Sequence, residues 1–292
     1  MAPNLQHLSF REWSIAYRRT GSGPPILFLH NGGTSHRIWL DVMEQLRLRF
    51  DVIAIDLLGY GDSSKPGEGY TMELYVDLVR HVLDTLGVEQ VALVGNCMGS
   101  AISLHFARAY PERVRSLVLV NPLTEATFSG GMLAGVLKAR QLAPRLVGGA
   151  YRAIGKLRLP RWSAGRTLSF QIGRRGRERD LQNDDALASL HASDGQLRSM
   201  LAVLADIEAY ALLDQPGFAD DVAPLYVIWG ESNRILSAKV GERLNATLRP
   251  RAAHFLPDCG HLVMLEAPEE VAALIADFVT QPAEKGEERH AV

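Results

Sequence analysis

The chain has 292 residues, 47% of them hydrophobic, which is enough to bury one large core. Its formal net charge is −2, and its two cysteines, Cys97 and Cys259, are too few for a disulfide framework or a cysteine-based metal cluster. The sequence has no charged and then apolar leader, and no apolar run reaches the ~18 residues that span a bilayer, so a cytoplasmic protein without a membrane segment is expected.

Strands and helices are predicted to alternate along most of the chain. The alternation of Trp13, Ile15 and Tyr17 with smaller or charged side chains indicates an early antiparallel strand with one covered face. Continuously apolar runs are typical of buried parallel strands, and they lie at 26–30, 52–56, 91–95, 117–121, 225–230 and 253–256. Helical patterns lie at 71–86, 98–110, 237–248 and 268–280.

Residues 122–216 interrupt this alternation. The predicted organisation is a core formed by residues 1–121 and 217–280, an insertion at 122–216, and a polar, flexible tail at 281–292.

The insertion contains a strongly basic stretch. Between Gly131 and Asp180, twelve basic residues are opposed only by Glu178 and Asp180, a local charge of about +10. This predicts an anionic partner, with a solvated helix face as the alternative. The predicted contacts are Arg174, Arg175, Arg177 and Arg179. Nucleic acid is not expected as the partner, because the rest of the chain carries about −12 and has no nucleic-acid-binding motif.

Cys97 is the predicted nucleophile. It is the central residue of Gly95-Asn96-Cys97-Met98-Gly99, where an apolar strand meets a helix. A sharp strand-to-helix turn strains its central residue and leaves no room for side chains two positions away on either side. The positive end of the helix favours a thiolate. A small buried cysteine at a strand-to-helix corner is the alternative.

Four motifs in chain order resemble the α/β-hydrolase fold family, from about Leu8 to Val279. They are His30-Asn31-Gly32-Gly33, the segment Asp56 to Ser63, the glycine-flanked Cys97, and Gly260-His261 followed by Glu266-Ala267-Pro268. The resemblance implies an α/β fold with a mostly parallel eight-stranded sheet flanked by helices, and a helical cap formed by residues 122–216. It also implies an oxyanion hole from the N–H groups of Gly32 and Met98, His261 as the general base, and a structural His30. His36 is a candidate for lining the pocket or for a surface position.

The acidic member of the family's catalytic triad is missing. Asn233 takes its usual place after Trp229-Gly230. A serine nucleophile would suffer from this loss, whereas a thiolate and an imidazolium can form a ground-state pair whose ring an amide can still orient. The alternatives are a degraded site, or a carboxylate from Glu125 or Asp258 in place of Asn233.

An acyl-enzyme formed on Cys97 is itself a thioester, so passing its acyl group to another thiol is nearly thermoneutral. These features resemble the acyl- and aminoacyl-shuttling transferases of nonribosomal peptide pathways. The resemblance implies an acyltransferase that accepts a small acyl group from an acidic carrier protein or a CoA thioester. No cofactor of its own is expected, because phosphopantetheine belongs to the partner or to CoA, and the histidines show no metal-ligand spacing.

Two other functions fit the same sequence. One is a cysteine-dependent thioesterase, or an ester or lactone hydrolase. The other is a non-catalytic ligand-binding protein on the same fold.

Overall fold

One eight-stranded sheet crosses the computed structural model, which describes residues 4–131, 134–143 and 154–281. Its strands are β1 Gln6–Phe10, β2 Trp13–Gly21, β3 Pro25–Leu29, β4 Asp51–Ile55, β5 Val91–Asn96, β6 Val114–Val120, β7 Leu225–Gly230 and β8 Ala252–Leu256. They are ordered β1-β2-β4-β3-β5-β6-β7-β8. β2 pairs antiparallel with both β1 and β4, and the other neighbours pair parallel. The predicted fold class is confirmed.

Both faces of the central strands are buried. Side chains alternate between the faces, so Leu27 and Leu29 of β3 join the apolar cluster on one face while Ile26 and Phe28 join the cluster on the other. This two-sided burial explains why the runs that form these strands are continuously apolar.

Helices cover the two faces. In chain order they are α1 Leu40–Leu46, α2 Met72–Thr85, α3 Met98–Ala109, α4 Glu125–Ser129, α5 Ala134–Leu142, α6 Ala164–Gln171, α7 Arg174–Glu178, α8 Asp185–His191, α9 Gln196–Ala205, α10 Ile207–Ala211, α11 Ala238–Leu248, α12 Val263–Glu266 and α13 Pro268–Val279. Apolar residues of α1 and α13 join the cluster that contains Phe28, and those of α2, α3 and α11 join the cluster that contains Leu27.

The early strand β2 differs from its prediction. Ile15 and Tyr17 are buried as expected, but Ala16 between them is buried as well. The loop that follows β4 covers it: Ala16 donates its N–H to Ser63 Oγ (2.9 Å) and accepts the N–H of Asp56 (2.8 Å). Both faces of the strand are therefore covered at this point.

Helices α4 to α10 lie between β6 and β7, where the sequence predicted a helical cap. Arg145 and Arg152 of the basic stretch, and the proposed tail except for Gln281, lie outside the described residues. No helix in the described part of the chain is long and apolar enough to cross a membrane.

Candidate active site

Cys97 lies at the turn between β5 and α3. Its backbone adopts φ +54° and ψ −111°, a conformation that is strained for a residue with a side chain. A Cβ on Gly95 would lie 2.2 Å from the Gly99 carbonyl oxygen, and a Cβ on Gly99 would lie 2.4 Å from the Leu29 carbonyl oxygen. Both flanking glycines are therefore required by close backbone approach, for the reason that the motif predicted.

Two backbone N–H groups converge on the Cys97 sulfur. They belong to Met98, the first residue of α3, and to Gly32, in the loop after β3. His30 holds that loop in place: its Nδ1–H donates to the Asn31 carbonyl oxygen (2.7 Å), and its Nε2 accepts the Leu57 N–H (3.0 Å). The sequence predicted these two N–H groups as oxyanion donors, and the structure places both of them beside the Cys97 sulfur.

The Cys97 thiol is neutral in this setting. Burial raises its pKa to about 12, and the hydrogen bonds from Met98 and Gly32 offset only part of that effect. The sequence suggested a thiolate stabilised by the positive end of α3. The structure differs, because a side chain that is 7% exposed loses more hydration than the helix end returns.

Asn233 determines the tautomer of His261. The Asn233 Oδ1 accepts the N–H groups of Ile235 (3.0 Å) and Leu236 (3.1 Å), so its Nδ2 must be the atom that lies 3.1 Å from His261 Nδ1. An amide nitrogen can only donate. His261 Nδ1 is therefore an acceptor, and the ring proton is on Nε2.

This tautomer is the reverse of the one in a triad with an aspartate, where Nδ1–H donates to the carboxylate and Nε2 is free to accept a proton. Burial also lowers the pKa of His261 to about 3. Cys97 and His261 are consequently both neutral, and the expected thiolate–imidazolium pair is not the ground state.

Three buried asparagines connect the segments that carry Gly32, Cys97 and His261. Asn96 and Asn121 donate their Nδ2–H groups to the His261 carbonyl oxygen, at 3.3 and 3.2 Å. Asn96 also donates to Asn31 Oδ1 (3.2 Å), and Asn121 Oδ1 accepts the Gly230 N–H (3.1 Å). Sequence reasoning missed this network. The sequence carries only one sign of this network, which is that each asparagine ends an apolar strand or follows one.

Glu266 is a second positioning residue that sequence reasoning left without a role. Its buried carboxylate accepts the N–H of Gly260 (2.8 Å), next to His261, and the N–H of Gly173 (2.7 Å), in the cap. The cap also contacts His261 directly, since the Gln171 carbonyl oxygen accepts the backbone N–H of His261 at 2.6 Å. These buried hydrogen bonds connect the cap to the loop that carries His261.

Neither alternative carboxylate takes the place of Asn233. Asp258 is partly exposed and forms an ion pair with Arg174. Glu125 is the first residue of α4, and no hydrogen bond between it and His261 is present in the described part of the chain. The side chain that forms a hydrogen bond with His261 Nδ1 is that of Asn233.

His36 is placed apart from this chemistry. Its ring is fully buried, its Nδ1–H donates to Asp56 Oδ1 (2.7 Å), and its Nε2 accepts from Arg18 Nε (2.9 Å). His36 lies near Asp56 and Asp62, a grouping whose spacing could suit a cation. Because both ring nitrogens are engaged by protein groups, His36 stabilises its loop and has no nitrogen left for a substrate or a metal ion.

Three of the four arginines proposed as partner contacts pair with acidic residues of this chain, and the fourth donates to a backbone carbonyl. Arg174 pairs with Glu178 and Asp258, Arg175 with Glu270 at 2.7 Å, and Arg179 with Asp41 at 3.8 Å, while Arg177 donates to the Ile172 carbonyl oxygen at 3.3 Å. Three of these contacts cross from the cap to the core.

The charge of the whole insertion also differs from that of its basic stretch. Residues 122–216 contain thirteen basic and nine acidic residues, a net charge of +4, because acidic residues follow the basic ones along the chain. The basic stretch is therefore balanced partly by acidic residues of the insertion itself and partly by the three ion pairs with the core.

The cap closes the site over Cys97. A Cβ atom on Gly32 would lie 4.0 Å from the Val203 side chain of α9 and 3.5 Å from the Tyr60 hydroxyl oxygen. Tyr210 of α10 joins the same apolar cluster as Cys97 and is almost fully buried. The surroundings of Cys97 on this side are therefore apolar and aromatic.

Comparisons with known proteins agree with this geometry. A family model described as alpha/beta hydrolase fold matches residues 24–268. A 2-hydroxy-6-oxo-2,4-heptadienoate hydrolase of Pseudomonas putida is 28% identical and covers 89% of this chain and 90% of its own. A 2-(acetamidomethylene)succinate hydrolase of Mesorhizobium japonicum is 27% identical and covers 91% of each chain.

A solved structure described as an N-acyl homoserine lactone degrading enzyme has a TM-score of 0.74 at 24% identity, covering 94% of this chain and all of its own. This likeness shows the fold. Hydrolases of this fold generally need no cofactor.

Proposed function

The chain belongs to the alpha/beta hydrolase fold family, and on this basis we propose that it is a cysteine-dependent acyl hydrolase that cleaves thioesters or esters through an acyl-enzyme on Cys97. The observation that carries the proposal is the convergence of the Gly32 and Met98 N–H groups on the Cys97 sulfur. These donors suit the oxyanion that forms when the sulfur attacks a carbonyl carbon. The relatives named above are hydrolases, which supports water as the final acceptor.

In the first half-reaction, the Cys97 sulfur bonds to the acyl carbon and the bond from that carbon to the leaving group breaks. The thiol proton ends on the departing group. His261 offers an Nε2–H hydrogen bond, since its Nδ1 is engaged by Asn233. A leaving group that is stable as an anion, such as a thiolate, therefore departs more readily than an alkoxide. This chemistry favours thioesters among the possible substrates.

In the second half-reaction, water attacks the thioester carbon, the bond from carbon to sulfur breaks, and the thiol regains its proton. Water needs a general base for this attack, and a protonated Nε2 cannot act as one. We therefore expect slow release of the acyl group to water.

The protonated Nε2 of His261, which slows release to water, favours a second function, acyl transfer to a thiol. A free thiol has a pKa near 8.5, so part of it is already ionised at neutral pH and needs no base. The two functions share the acyl-enzyme and differ only in the acceptor. Arg174 and Arg175 are engaged by acidic side chains, so we propose a small-molecule or CoA thioester as the acyl donor in preference to an acidic carrier protein.

The test is the mass of the intact protein after incubation with acyl-CoA thioesters and p-nitrophenyl esters of increasing chain length. The wild type and a Cys259→Ala control are expected to gain the mass of the acyl group, and Cys97→Ala is expected to gain none. An adduct on Cys259 alone would refute the assignment. No adduct with any substrate would favour the non-catalytic ligand-binding protein.

A further inference from the structure

The outer part of the cap exposes large apolar side chains. Trp162 is 81% exposed and Leu157 is 60% exposed, with Ile154 nearby in sequence at 43% and Leu142, at the end of α5, at 86%. These four are more than half of the large apolar side chains that are exposed in the described residues. Single exposed apolar residues are ordinary, but three within residues 154–162 form an unusual surface.

The same stretch is basic. Residues 154–166 contain four exposed cations and no acidic residue, and we call them, with their apolar neighbours, the 154–166 surface. The cations are Lys156, Arg158, Arg161 and Arg166. Arg158 pairs with Asp194 and Arg161 with Asp185, but all four groups are exposed, and such pairs contribute little energy.

With those two carboxylates counted, the surface has a net charge of +2. No ion pair within the described ranges involves Lys156 or Arg166. Two cations and three large apolar side chains of this one short segment are therefore exposed.

We propose that the 154–166 surface docks the protein on an anionic lipid surface. Tryptophan has an apolar body and a polar N–H, which suits the boundary between lipid headgroups and acyl chains. Lysine and arginine place their alkyl stems along that boundary and their charges among anionic headgroups. Cations and apolar groups alternate along one short segment here, whereas a protein–protein interface separates an apolar centre, depleted in lysine, from a polar rim.

The proposal does not rest on the proposed function, because it concerns a surface rather than Cys97. It also requires no membrane-spanning helix. Peripheral binding needs only the insertion of side chains and the attraction of anionic headgroups.

Tryptophan fluorescence tests it directly. The chain has four tryptophans, of which Trp39 and Trp229 are fully buried, so Trp162 is the one most open to a new environment. Vesicles of phosphatidylglycerol and phosphatidylcholine in equal parts are expected to shift the emission to shorter wavelength, and vesicles of phosphatidylcholine alone are not. Trp162→Phe is expected to abolish the shift while the protein still floats with the anionic vesicles.

Variants of the 154–166 surface separate the contribution of its charges to vesicle binding from that of its apolar side chains. Lys156→Gln with Arg166→Gln is expected to weaken binding to anionic vesicles more than tenfold, since each basic group near such a surface contributes about fivefold. Leu157→Ala with Trp162→Ala is expected to weaken it at least as much. Leu48→Ala, which removes an exposed leucine from the core domain, is the matched control and is expected to bind as the wild type does.

Three results of the vesicle experiments would overturn the proposal. They are no binding to the anionic vesicles, equal binding to neutral and anionic vesicles, and binding that the 154–166 variants leave unchanged. A dimer in which Trp162 becomes buried without lipid would also overturn it, in favour of a second copy of the chain as the occupant.

Discussion

The amide of Asn233 donates to His261 Nδ1 because its oxygen is held by two backbone N–H groups. An aspartate at this position can keep those two N–H groups on one oxygen and accept Nδ1–H with the other. His261 Nε2 then becomes free to act as a base. We expect Asn233→Asp to raise the rate of acyl release to water by about 10²-fold, the lower range of general base catalysis.

The measurement is the release of free acid from an acyl-CoA thioester, with and without an added thiol acceptor such as N-acetylcysteamine. Transfer to the thiol is expected to change much less than hydrolysis. Asn233→Ala, which removes the donor without supplying an acceptor, is the control and should not gain hydrolysis. Equal gains in both variants would mean that the tautomer of His261 does not limit the reaction.

Cys97→Ser tests the match between the nucleophile and its base. A hydroxyl ionises far less readily than a thiol, and His261 in its present tautomer cannot take the proton. We expect Cys97→Ser to lose on the order of 10²-fold or more in thioester hydrolysis, and Asn233→Asp to restore part of it in that background. A serine variant as active as the wild type would contradict this account of the site.

The pH dependence of thiol alkylation reports the state of Cys97. Burial raises the pKa of the thiol, so the thiolate is a small fraction at neutral pH and grows as the pH rises towards about 12. In a Cys259→Ala background, alkylation by iodoacetamide is expected to quicken about tenfold per pH unit between 7 and 10. A plateau between pH 5 and 8 would instead show a thiolate–imidazolium pair.

At the scale of elements, the cap meets the loop that carries His261 through the Glu266 carboxylate. Removing it leaves the buried N–H groups of Gly173 and Gly260 without acceptors. We expect Glu266→Ala to lower the free energy of unfolding by about 2–4 kcal/mol, as two unsatisfied buried donors imply.

Urea unfolding measures this change. Glu266→Gln keeps one acceptor oxygen and should fall between the wild type and the alanine variant. Glu270→Ala is the control, because Glu270 forms a partly exposed ion pair with Arg175 that is worth about 1 kcal/mol or less. Equal losses of unfolding free energy in Glu266→Ala and Glu270→Ala would mean that Glu266 does not stabilise the contact between the cap and the core.

At the scale of the molecule, the positive cap is attracted to the negative core. Charge reversal of Arg174 and Arg175 breaks ion pairs with Asp258 and Glu270 and loosens the cap. We therefore expect the double variant to slow turnover of a small thioester and of a carrier-bound one alike, by several-fold. Turnover assays with both substrates decide this, with the double variant Lys156→Glu and Arg166→Glu as a control of the same charge change.

A loss confined to the carrier-bound substrate would restore the carrier-protein hypothesis. It would mean that the arginines meet an external acidic partner in spite of their contacts with the core.

Features that depend on neighbours in the chain could be predicted from the sequence. The glycines around Cys97 are required by the backbone of one turn, the apolar runs are required by two-sided burial of the strands, and the position of Asn233 follows from the end of one strand. Local sequence was therefore enough to name a candidate nucleophile, a candidate base and candidate oxyanion donors.

Features that depend on distant segments could not be predicted in this way. Burial among distant segments of the chain raises the pKa of Cys97, and the core contacts of Arg174 and Arg175 are made with residues about 85 to 95 positions away. Glu266 acquires its role only where Gly173 of the cap reaches it. Burial and charge pairing act through space, so only the tertiary structure decided that the thiol is neutral and that three arginines of the cap pair with the core.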